Sequence, residues 1–343
     1  MHSKRRGYGE RNSSSQQGIS TPAEQSGLHC LDGLVEANYG GIESVRYTPL
    51  QPDRALGLAV AAARRACLST EGATVLRRRT SVYVELPAAD AVARVEPADA
   101  VAVAECQVAA ARLLEACAVP AARLIVPDPQ PMVYADGSVT LWRRLTILAG
   151  EPSPATLGRL ARHLHEATRG SLSAEIPALD PISTTLDGLG RAASGGRFGG
   201  IEDLWEEFYQ LAAAWDRIAD EDPLGTGLVH GDYNVNNVVL TRDGPTLIDL
   251  EDSGSGPVSW DLVPQMVSVR RFGASPASYR SFCDAYGADL MTWDGAETLC
   301  RTFELLLLSW AIANWDISPQ MEAEAALRLA NFRGETDQPW TLL

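Results

Sequence analysis

The segment 228–262 holds the side chains whose types and spacing could carry out chemistry; it reads LVHGDYNVNNVVLTRDGPTLIDLEDSGSGPVSWDL. Two short apolar strands in it flank a turn sequence at 242–245. A hairpin closed by that turn and centred near its second residue sets Asn237 opposite Asp249, and Asp232 lies in the loop before the first strand. One hairpin therefore gathers two carboxylates and one carboxamide at a single end.

These residue types suit phosphoryl transfer. Magnesium takes oxygen ligands, and Asn237 and Asp249 can supply them. A carboxylate that stays off the metal can accept the proton of an attacking hydroxyl, and Asp232 is placed for that role. Asp and Asn side chains also cap turns in many loops, so the spacing alone leaves a purely structural role open.

The length and composition are those of an acidic globular protein. The chain has 343 residues, 29 basic and 44 acidic side chains, a formal net charge of −15 and 45% apolar residues. At about 150 residues per domain, this length predicts two domains or lobes. The acidic balance argues against a nucleic-acid partner, which requires a basic surface, and against docking on an anionic membrane.

The counts of two residue types exclude several mechanisms. Lys4 is the only lysine and lies in a polar tail, which excludes a Walker-type phosphate loop, a Schiff base and a pyridoxal enzyme. A side-chain cation that holds phosphate must then be an arginine. The six cysteines form no CxxC pair, so we expect free thiols and no zinc site. We find neither an apolar run near the about 20 residues of a membrane span nor a secretory signal, and expect a cytoplasmic protein.

Hydrophobic periodicity and turn signals divide the chain into three parts. Residues 1–30 are polar and are expected to form a disordered extension. Residues 31–145 are expected to form an N-terminal lobe with a small antiparallel sheet, and residues 146–343 a mostly helical C-terminal lobe. The predicted elements of the first lobe are helices 54–68 and 101–117 and strands 74–78, 81–86, 91–95, 132–134 and 139–142. Those of the second are helices at 157–164, 204–218, 299–314 and 320–332, with strands at 228–230, 238–241 and 246–250.

The motifs together resemble a known family. HGD, four residues and Asn, followed by an Ile-Asp strand end and a GP..WDL segment, is similar to the aminoglycoside phosphotransferase and choline kinase group of kinase-like enzymes. The resemblance covers nearly the whole chain after about residue 50, and 157–167 resembles the first helix of that family's C-terminal lobe. It implies an α+β, protein-kinase-like two-lobe fold that uses ATP, with GTP as the alternative, together with Mg²⁺. The N-terminal lobe would bind the nucleotide, and the C-terminal lobe would hold the catalytic loop and acceptor site.

The resemblance assigns roles in the catalytic loop. Asp232 would be the catalytic base, and Asn237 and Asp249 would bind Mg²⁺. Relatives often read HGD-x-H-x-G-N, whereas Asn234 and Asn236 here replace the second His and the Gly. Asn234 can still donate hydrogen bonds, as the histidine would.

The resemblance also assigns a nucleotide site. Arg94 would hold the α- and β-phosphates, and Glu105 in helix 101–117 would orient Arg94. Four further residues would contact the nucleotide: Thr80 and Ser81 in the covering turn, and Trp142 and Leu145 at the hinge beside the adenine. The covering turn reads RRRTS and has no glycine, so a close glycine cradle for phosphate is absent from the sequence.

Several supporting residues are expected to be structural. His163 and His165 stand two apart on a helix and cannot share a metal, so one should pack and the other face solvent. We expect His230 to anchor its loop through hydrogen bonds, and Trp260 and Asp261 to brace the metal loop.

Three functions are compatible with these residues. The first is a small-molecule kinase whose hydroxyl acceptor is an aminoglycoside-like antibiotic, a sugar, an amino alcohol or a natural-product intermediate. Its acceptor site is expected between the helices near 200–220 and 299–332. The second, favoured by the glycine-free turn, is a degenerate kinase-like protein that binds a nucleotide or ligand without turnover. The third, a metal-dependent hydrolase, lacks a second cluster of histidine ligands. The sequence leaves the oligomeric state open.

Overall fold

The protein is represented by a computed structural model, which describes residues 50–78, 81–125 and 129–341. These ranges fall in one unit, Ala37–Leu343. The predicted extension 1–30 lies outside the described residues.

A five-stranded antiparallel sheet forms the first part of the structure. Its strands are β1 (Thr74–Arg78), β2 (Val82–Leu86), β3 (Ala91–Pro97), β4 (Met132–Tyr134) and β5 (Gly137–Arg143), in the spatial order β1-β2-β3-β5-β4. Strands β1 and β4 have the predicted bounds, and the bounds of β2, β3 and β5 differ from the prediction by at most two residues at either end. The β4–β5 hairpin closes at Asp136, as the Asp-Gly sequence predicts.

The two faces of the sheet have different chemistry because strand side chains alternate. One face is apolar, with Val84, Ala93 and Leu141 fully buried against helix α1 (Pro52–Arg65). The opposite face is polar, and on it the register sets Tyr83, Arg94 and Thr140 side by side on neighbouring strands. The sheet therefore presents its polar face away from its own hydrophobic core.

Helix α2 (Val101–Ala116) follows β3 in the chain and lies against strands β3 and β5 of the sheet. Its residues Ala110 and Leu114 belong to the same buried cluster as Leu157 and Trp260, which is separate from the cluster between the sheet and α1. Helix α2 thus lies between the sheet and the helical core.

The second part of the structure is mostly helical, in agreement with the α+β fold expected from the sequence. Its helices are α3 (Pro154–Ala167), α4 (Pro181–Gly195), α5 (Glu202–Asp220), α6 (Val263–Arg271), α7 (Pro276–Tyr286), α8 (Ala296–Ala313) and α9 (Pro319–Phe332). Its strands are β6 (Thr226–Val229), β7 (Val238–Thr241), β8 (Gly244–Leu247) and β9 (Gly254–Pro257). Within the ranges just defined, no helix is long and apolar enough to cross a membrane.

Three features of this part differ from the sequence prediction. Helix α4 occupies a Gly- and Ser-rich stretch with no predicted helix, and the Asp180 side chain caps it by accepting from the Ser183 N–H at 2.9 Å. Helices α6 and α7 were also not predicted. Strand β6 pairs with the glycine-rich β9 and not with β7, because the chain between β6 and β7 forms a loop and a short 3₁₀ helix.

The segment that follows β5 connects the sheet to the helical part, and hydrogen bonds to β7 hold it in place. After β5, Ile147 forms an isolated bridge with Thr241 of β7, and the Leu148 N–H donates to the Leu240 carbonyl at 2.8 Å. The predicted boundary between the lobes, between residues 145 and 146, lies in this connection. The division into two lobes at that point stays a prediction.

Candidate active site

The carboxylate of Asp232 is buried and held by two amides. Asn234 Nδ2 donates to Asp232 Oδ1 and Asn237 Nδ2 donates to Asp232 Oδ2, both at 2.8 Å. Burial raises the pKa of Asp232 to about 6, and the nearby Asp249 acts in the same direction, whereas His230 and the two amides oppose the increase. The side chain is therefore fixed in position and ionised at neutral pH, as a proton acceptor must be.

The loop that carries Asp232 is anchored by a buried carboxylate, that of Asp261. Asp261 is 0% exposed, and it accepts the His230 N–H at 2.7 Å and the Gly231 N–H at 3.0 Å. His165 lies 3.0 Å from Asp261 through Nε2, and Trp260 Nε1 donates to the Gly231 carbonyl at 2.8 Å. Trp260 and Asp261 thus brace the catalytic loop, whereas the sequence had assigned them to the metal loop.

The two histidine predictions are confirmed. His165 is buried, while His163 is exposed on the other side of α3, with Nε2 3.3 Å from the Ala118 carbonyl. His230 Nε2 lies 2.9 Å from the Ile248 carbonyl, so this histidine does anchor its loop.

Gly231 is required by the packing of the catalytic loop against the following strand connection. Its φ is +86°, and a Cβ at this position would overlap the carbonyl oxygen of Asp252. Only glycine permits this close approach. The approach brings the loop of Asp232 directly against residues 249–252.

Asp249 follows β8 but is not opposite Asn237, so the predicted register is wrong by one residue. The ladder pairs Val238 with Leu247, and the Ile248 N–H donates to the Asn237 carbonyl at 3.0 Å. The turn closes one residue earlier than predicted because Thr241 Oγ1 donates to the Gly244 carbonyl at 2.9 Å.

A backbone feature then redirects the chain after β8. Asp249 has a φ of +59°, a left-handed conformation that Asp tolerates better than most residues. Its side chain is 29% exposed and reaches Arg94 of the sheet. Asp249 therefore joins the polar face of the sheet to the catalytic loop.

Arg94 is the centre of a buried ionic cluster and is 4% exposed. Its Nε donates to Glu96 Oε1 at 2.6 Å and its Nη1 to Asp249 Oδ1 at 2.9 Å, while Nη2 donates to Ser81 Oγ at 3.0 Å and also contacts the Glu251 carboxylate. The guanidinium also lies over the Tyr83 ring, 5.3 Å from its centroid. The predicted cation thus joins the sheet to the connection after β8.

Glu105 does not make the predicted contact with Arg94. It is exposed on α2, whose inward positions are taken by Ala104 and Val108, and the carboxylates around Arg94 come from other elements. The sequence reasoning missed Glu96, although it stands two residues after Arg94 on the same strand. Strand alternation places these two side chains on one face, and that signal was available.

The other predicted nucleotide contacts are distributed around the same face. Ser81 is buried, and its hydroxyl donates to Glu96 Oε2 at 2.7 Å. Thr80 lies outside the described residues. Trp142 lies on β5 opposite Val92 of β3, and its Nε1 donates to Thr140 Oγ1 at 2.8 Å. Leu145 is half-buried in the connection after β5. Their roles toward a nucleotide stay predictions.

The side chains of Asn237 and Asp249 fit a magnesium ion. Both offer oxygen, the donor atom that this hard cation prefers, and the Asn237 amide nitrogen is already committed to Asp232. In the portion of the chain described by the structure, no cluster of three or more His, Cys, Asp or Glu could hold a metal. Asp249 Oδ1 already accepts from Arg94 Nη1 at 2.9 Å, so the second oxygen of Asp249 would serve a metal, and the magnesium site stays a prediction.

A cavity of about 250 Å³ opens beside the catalytic loop. It lies between residues 177–184 at the start of α4 and residues 251–253, with Gly231 and Trp260 in its wall. Phe208 of α5 and Leu308 of α8 belong to one buried apolar cluster. The predicted acceptor position between the helices near 200–220 and 299–332 stays a prediction. The cavity beside Gly231 lies at the N-terminus of α4.

Comparisons with known proteins agree with this geometry. The sequence model of the phosphotransferase enzyme family matches residues 76–298, more than half of the chain. The structure is similar to a choline/ethanolamine kinase family protein from Mesorhizobium loti, with 21% identity and a TM-score of 0.56 over 84% of this chain and 95% of that one. It is also similar to the aminoglycoside phosphotransferase APH(3'')-Id from Streptomyces rimosus, with 20% identity and a TM-score of 0.53 over 72% of this chain and 97% of that one.

A third similar structure is the choline kinase LicA from Streptococcus pneumoniae, with 12% identity and a TM-score of 0.52 over 77% of this chain and 92% of that one. No curated protein matches the chain. The fold is thus that of the two-lobe small-molecule kinases. The chain belongs to the phosphotransferase enzyme family, which confirms the resemblance stated from its motifs.

Proposed function

We propose that this protein transfers the γ-phosphate of ATP to a hydroxyl group of a small molecule, with Mg²⁺ bound at Asn237 and Asp249. The observation that carries the proposal is the carboxylate of Asp232, which two amides fix beside Asp249. The neighbouring Gly231 of the same loop lines an open cavity. Similar structures have been determined with ADP and streptomycin, with AMP, and with GDP and kanamycin.

In this mechanism each residue has one task. Asp232 accepts the proton of the acceptor hydroxyl and aligns its oxygen with the γ-phosphorus, and Arg94 holds the negative charge of the phosphates. Mg²⁺ supplies charge neutralisation for the phosphate oxygens when it is bound. The amides that hold Asp232 keep its reactive oxygen in place without a rearrangement during the reaction.

The first experiment separates nucleotide binding from catalysis. Thermal unfolding is recorded with ATP or GTP, each with and without Mg²⁺, for the wild type and for Asp249→Ala. A rise that requires Mg²⁺ and occurs only in the wild type supports the site and shows which base is preferred. A rise that is the same in both proteins would count against Asp249 as a metal ligand.

Transfer of labelled phosphate then tests the base. Asp232→Asn is expected to abolish transfer and to leave nucleotide affinity nearly unchanged. Loss of nucleotide binding by a folded Asp232→Asn variant would contradict the assigned role. Nucleotide binding by the wild type without phosphate transfer to any acceptor would favour a degenerate kinase-like protein. The glycine-free RRRTS turn supports the same alternative.

The cavity suits an acceptor that carries a positive charge. Its wall includes the carboxylates of Asp180, Glu251 and Asp252 and the hydroxyls of Ser183 and Thr184. Among the wall residues that the structure describes there is no Arg, Lys or His. Carboxylates in a concave site attract a cation, and hydroxyls can bind the polar groups of a sugar or amino alcohol.

Paired acceptors test this charge preference. An amino alcohol is compared with the alcohol of the same size that lacks the amine. Asp180→Asn keeps the α4 cap, since Asn caps helices as well as Asp does, and removes only the charge. We expect it to raise the KM of the amine alone, and an equal change for both acceptors would contradict a cationic subsite.

A further inference from the structure

The guanidinium of Arg94 meets carboxylates from two different parts of the molecule. Asp249 and Glu251 approach it from the connection after β8, which belongs to the catalytic side. Glu96 approaches from Arg94's own strand, and its two oxygens are both committed: Oε1 accepts from Arg94 Nε and Oε2 from Ser81 Oγ. Since Ser81 also accepts from Arg94, these three side chains close a buried hydrogen-bonded triangle.

We infer that Glu96 is the positioning residue for Arg94, in place of a carboxylate from helix α2. The inference rests on the proposed function, in which Arg94 holds the nucleotide phosphates. It assigns a role to a residue that touches neither nucleotide nor acceptor and acts only through Arg94 and Ser81.

The carboxylates around Arg94 differ in whether the phosphates of a bound nucleotide would displace them. Arriving phosphate oxygens compete with Asp249 and Glu251 for the Nη atoms of Arg94, because those carboxylates approach the same end of the guanidinium. Glu96 binds Nε, on the other edge of the planar group. A guanidinium that donates from two edges can keep Glu96 and bind phosphate at the same time.

The packing of α2 explains why Glu96 takes this role. Helix α2 lies against β3, the strand that carries Arg94, but the orientation of the helix leaves Glu105 in solvent. Glu105 is exposed, and α2 instead contacts the catalytic side through Cys106, whose thiol lies 3.1 Å from the Ser253 carbonyl. A partner two residues along the same strand stays in register with Arg94 whatever the position of α2.

The test compares Glu96→Gln with the matched control Glu105→Gln. Both variants remove one carboxylate and keep the side-chain size. Glu96→Gln is expected to raise the nucleotide Kd and KM about tenfold, because a charge-assisted hydrogen bond that orients the guanidinium is weakened, and to leave the acceptor KM unchanged. Glu105→Gln is expected to behave as the wild type.

Glu96→Gln is expected to fold, since it removes one of three carboxylates that surround a single guanidinium. Ser81→Ala is a milder second variant, expected to raise the nucleotide Kd by a few-fold, because Glu96 keeps its contact with Arg94 Nε. A double-mutant cycle with Arg94→Gln provides a readout that a merely structural role would not move: the effect of Glu96→Gln should vanish when Arg94 is absent.

The outcomes separate this inference from the proposed function. Wild-type nucleotide binding with an unchanged Kd in Glu96→Gln, or a loss of affinity in Glu105→Gln alone, overturns the role of Glu96 and leaves the proposed function intact. Additive effects of Glu96→Gln and Arg94→Gln also overturn it. A wild type that binds neither ATP nor GTP refutes the proposed function, and the inference with it.

Discussion

Burial of the Asp232 carboxyl makes the stability of the protein depend on pH, and Asp232→Asn isolates that dependence. Burial raises the pKa of Asp232 from 3.8 to about 6. A carboxyl whose pKa is raised by folding stabilises the folded state when it is protonated. That stabilisation is complete below the unfolded-state pKa and is lost as the pH rises through about 6.

The size of the effect follows from the two pKa values. The difference between 3.8 and about 6 corresponds to about 3 kcal/mol, at about 1.4 kcal/mol for each pKa unit. About 2 kcal/mol of this is lost between about pH 4.5 and about pH 7.5. Asp232→Asn does not titrate, but it turns one acceptor into a donor that faces Asn234 or Asn237. This adds a cost of about 1–3 kcal/mol that does not depend on pH.

The assay is urea denaturation of wild type and Asp232→Asn at both pH values, with EDTA and without nucleotide. The wild type should lose about 2 kcal/mol relative to the variant as the pH rises across this range. Asp243→Asn, in the exposed turn between β7 and β8, is the matched control. A difference between wild type and Asp232→Asn that is constant, or that grows in favour of the wild type with rising pH, would refute the reasoning.

Three substitutions test the packing that supports the site. Asp261→Asn should cost about 2–4 kcal/mol in urea denaturation, because a buried acceptor of two backbone N–H groups is lost; an unchanged midpoint would contradict this. Gly231→Ala should lower the melting temperature and phosphate transfer together, since its Cβ meets the Asp252 carbonyl; full activity would show that the loop can move away. Gly188→Ala should lower the melting temperature although Ala favours helix, because α4 packs there against Ser309 of α8, and Ser309→Gly in the same chain should restore it.

The sequence was sufficient where a local pattern alone decides the structure. Strand β1 and the β4–β5 hairpin follow from short apolar runs and an Asp-Gly turn, and both were predicted. The gathering of Asp232, Asn237 and Asp249 near one hairpin was also predicted, but the predicted opposition of Asn237 and Asp249 was wrong by one residue. The register depends on the hydroxyl of Thr241, which closes the turn, and a one-residue difference of this kind is not visible in the apolar pattern.

The sequence was insufficient where tertiary packing decides. The direction of Glu105 depends on which face of α2 is buried, and α2 is apolar around much of its circumference, so periodicity does not determine that face. Strand β9 has the sequence Gly-Ser-Gly-Pro, which is typical of a turn, and it becomes a strand only because β6 supplies hydrogen-bond partners. Helix α4 depends on its cap at Asp180 and on its contact with α8 more than on intrinsic propensity.

The packing of α2 has a consequence for the partial unfolding of the protein. Although α2 lies between β3 and β5 in the chain, its apolar side chains are shared with Leu157, Leu160 and Trp260 of the helical part. Cooperative units of opening follow shared buried contacts more closely than chain order. Because α2 also lies against β3 and β5, its amides should stay protected in hydrogen exchange until both α3 and the sheet have opened.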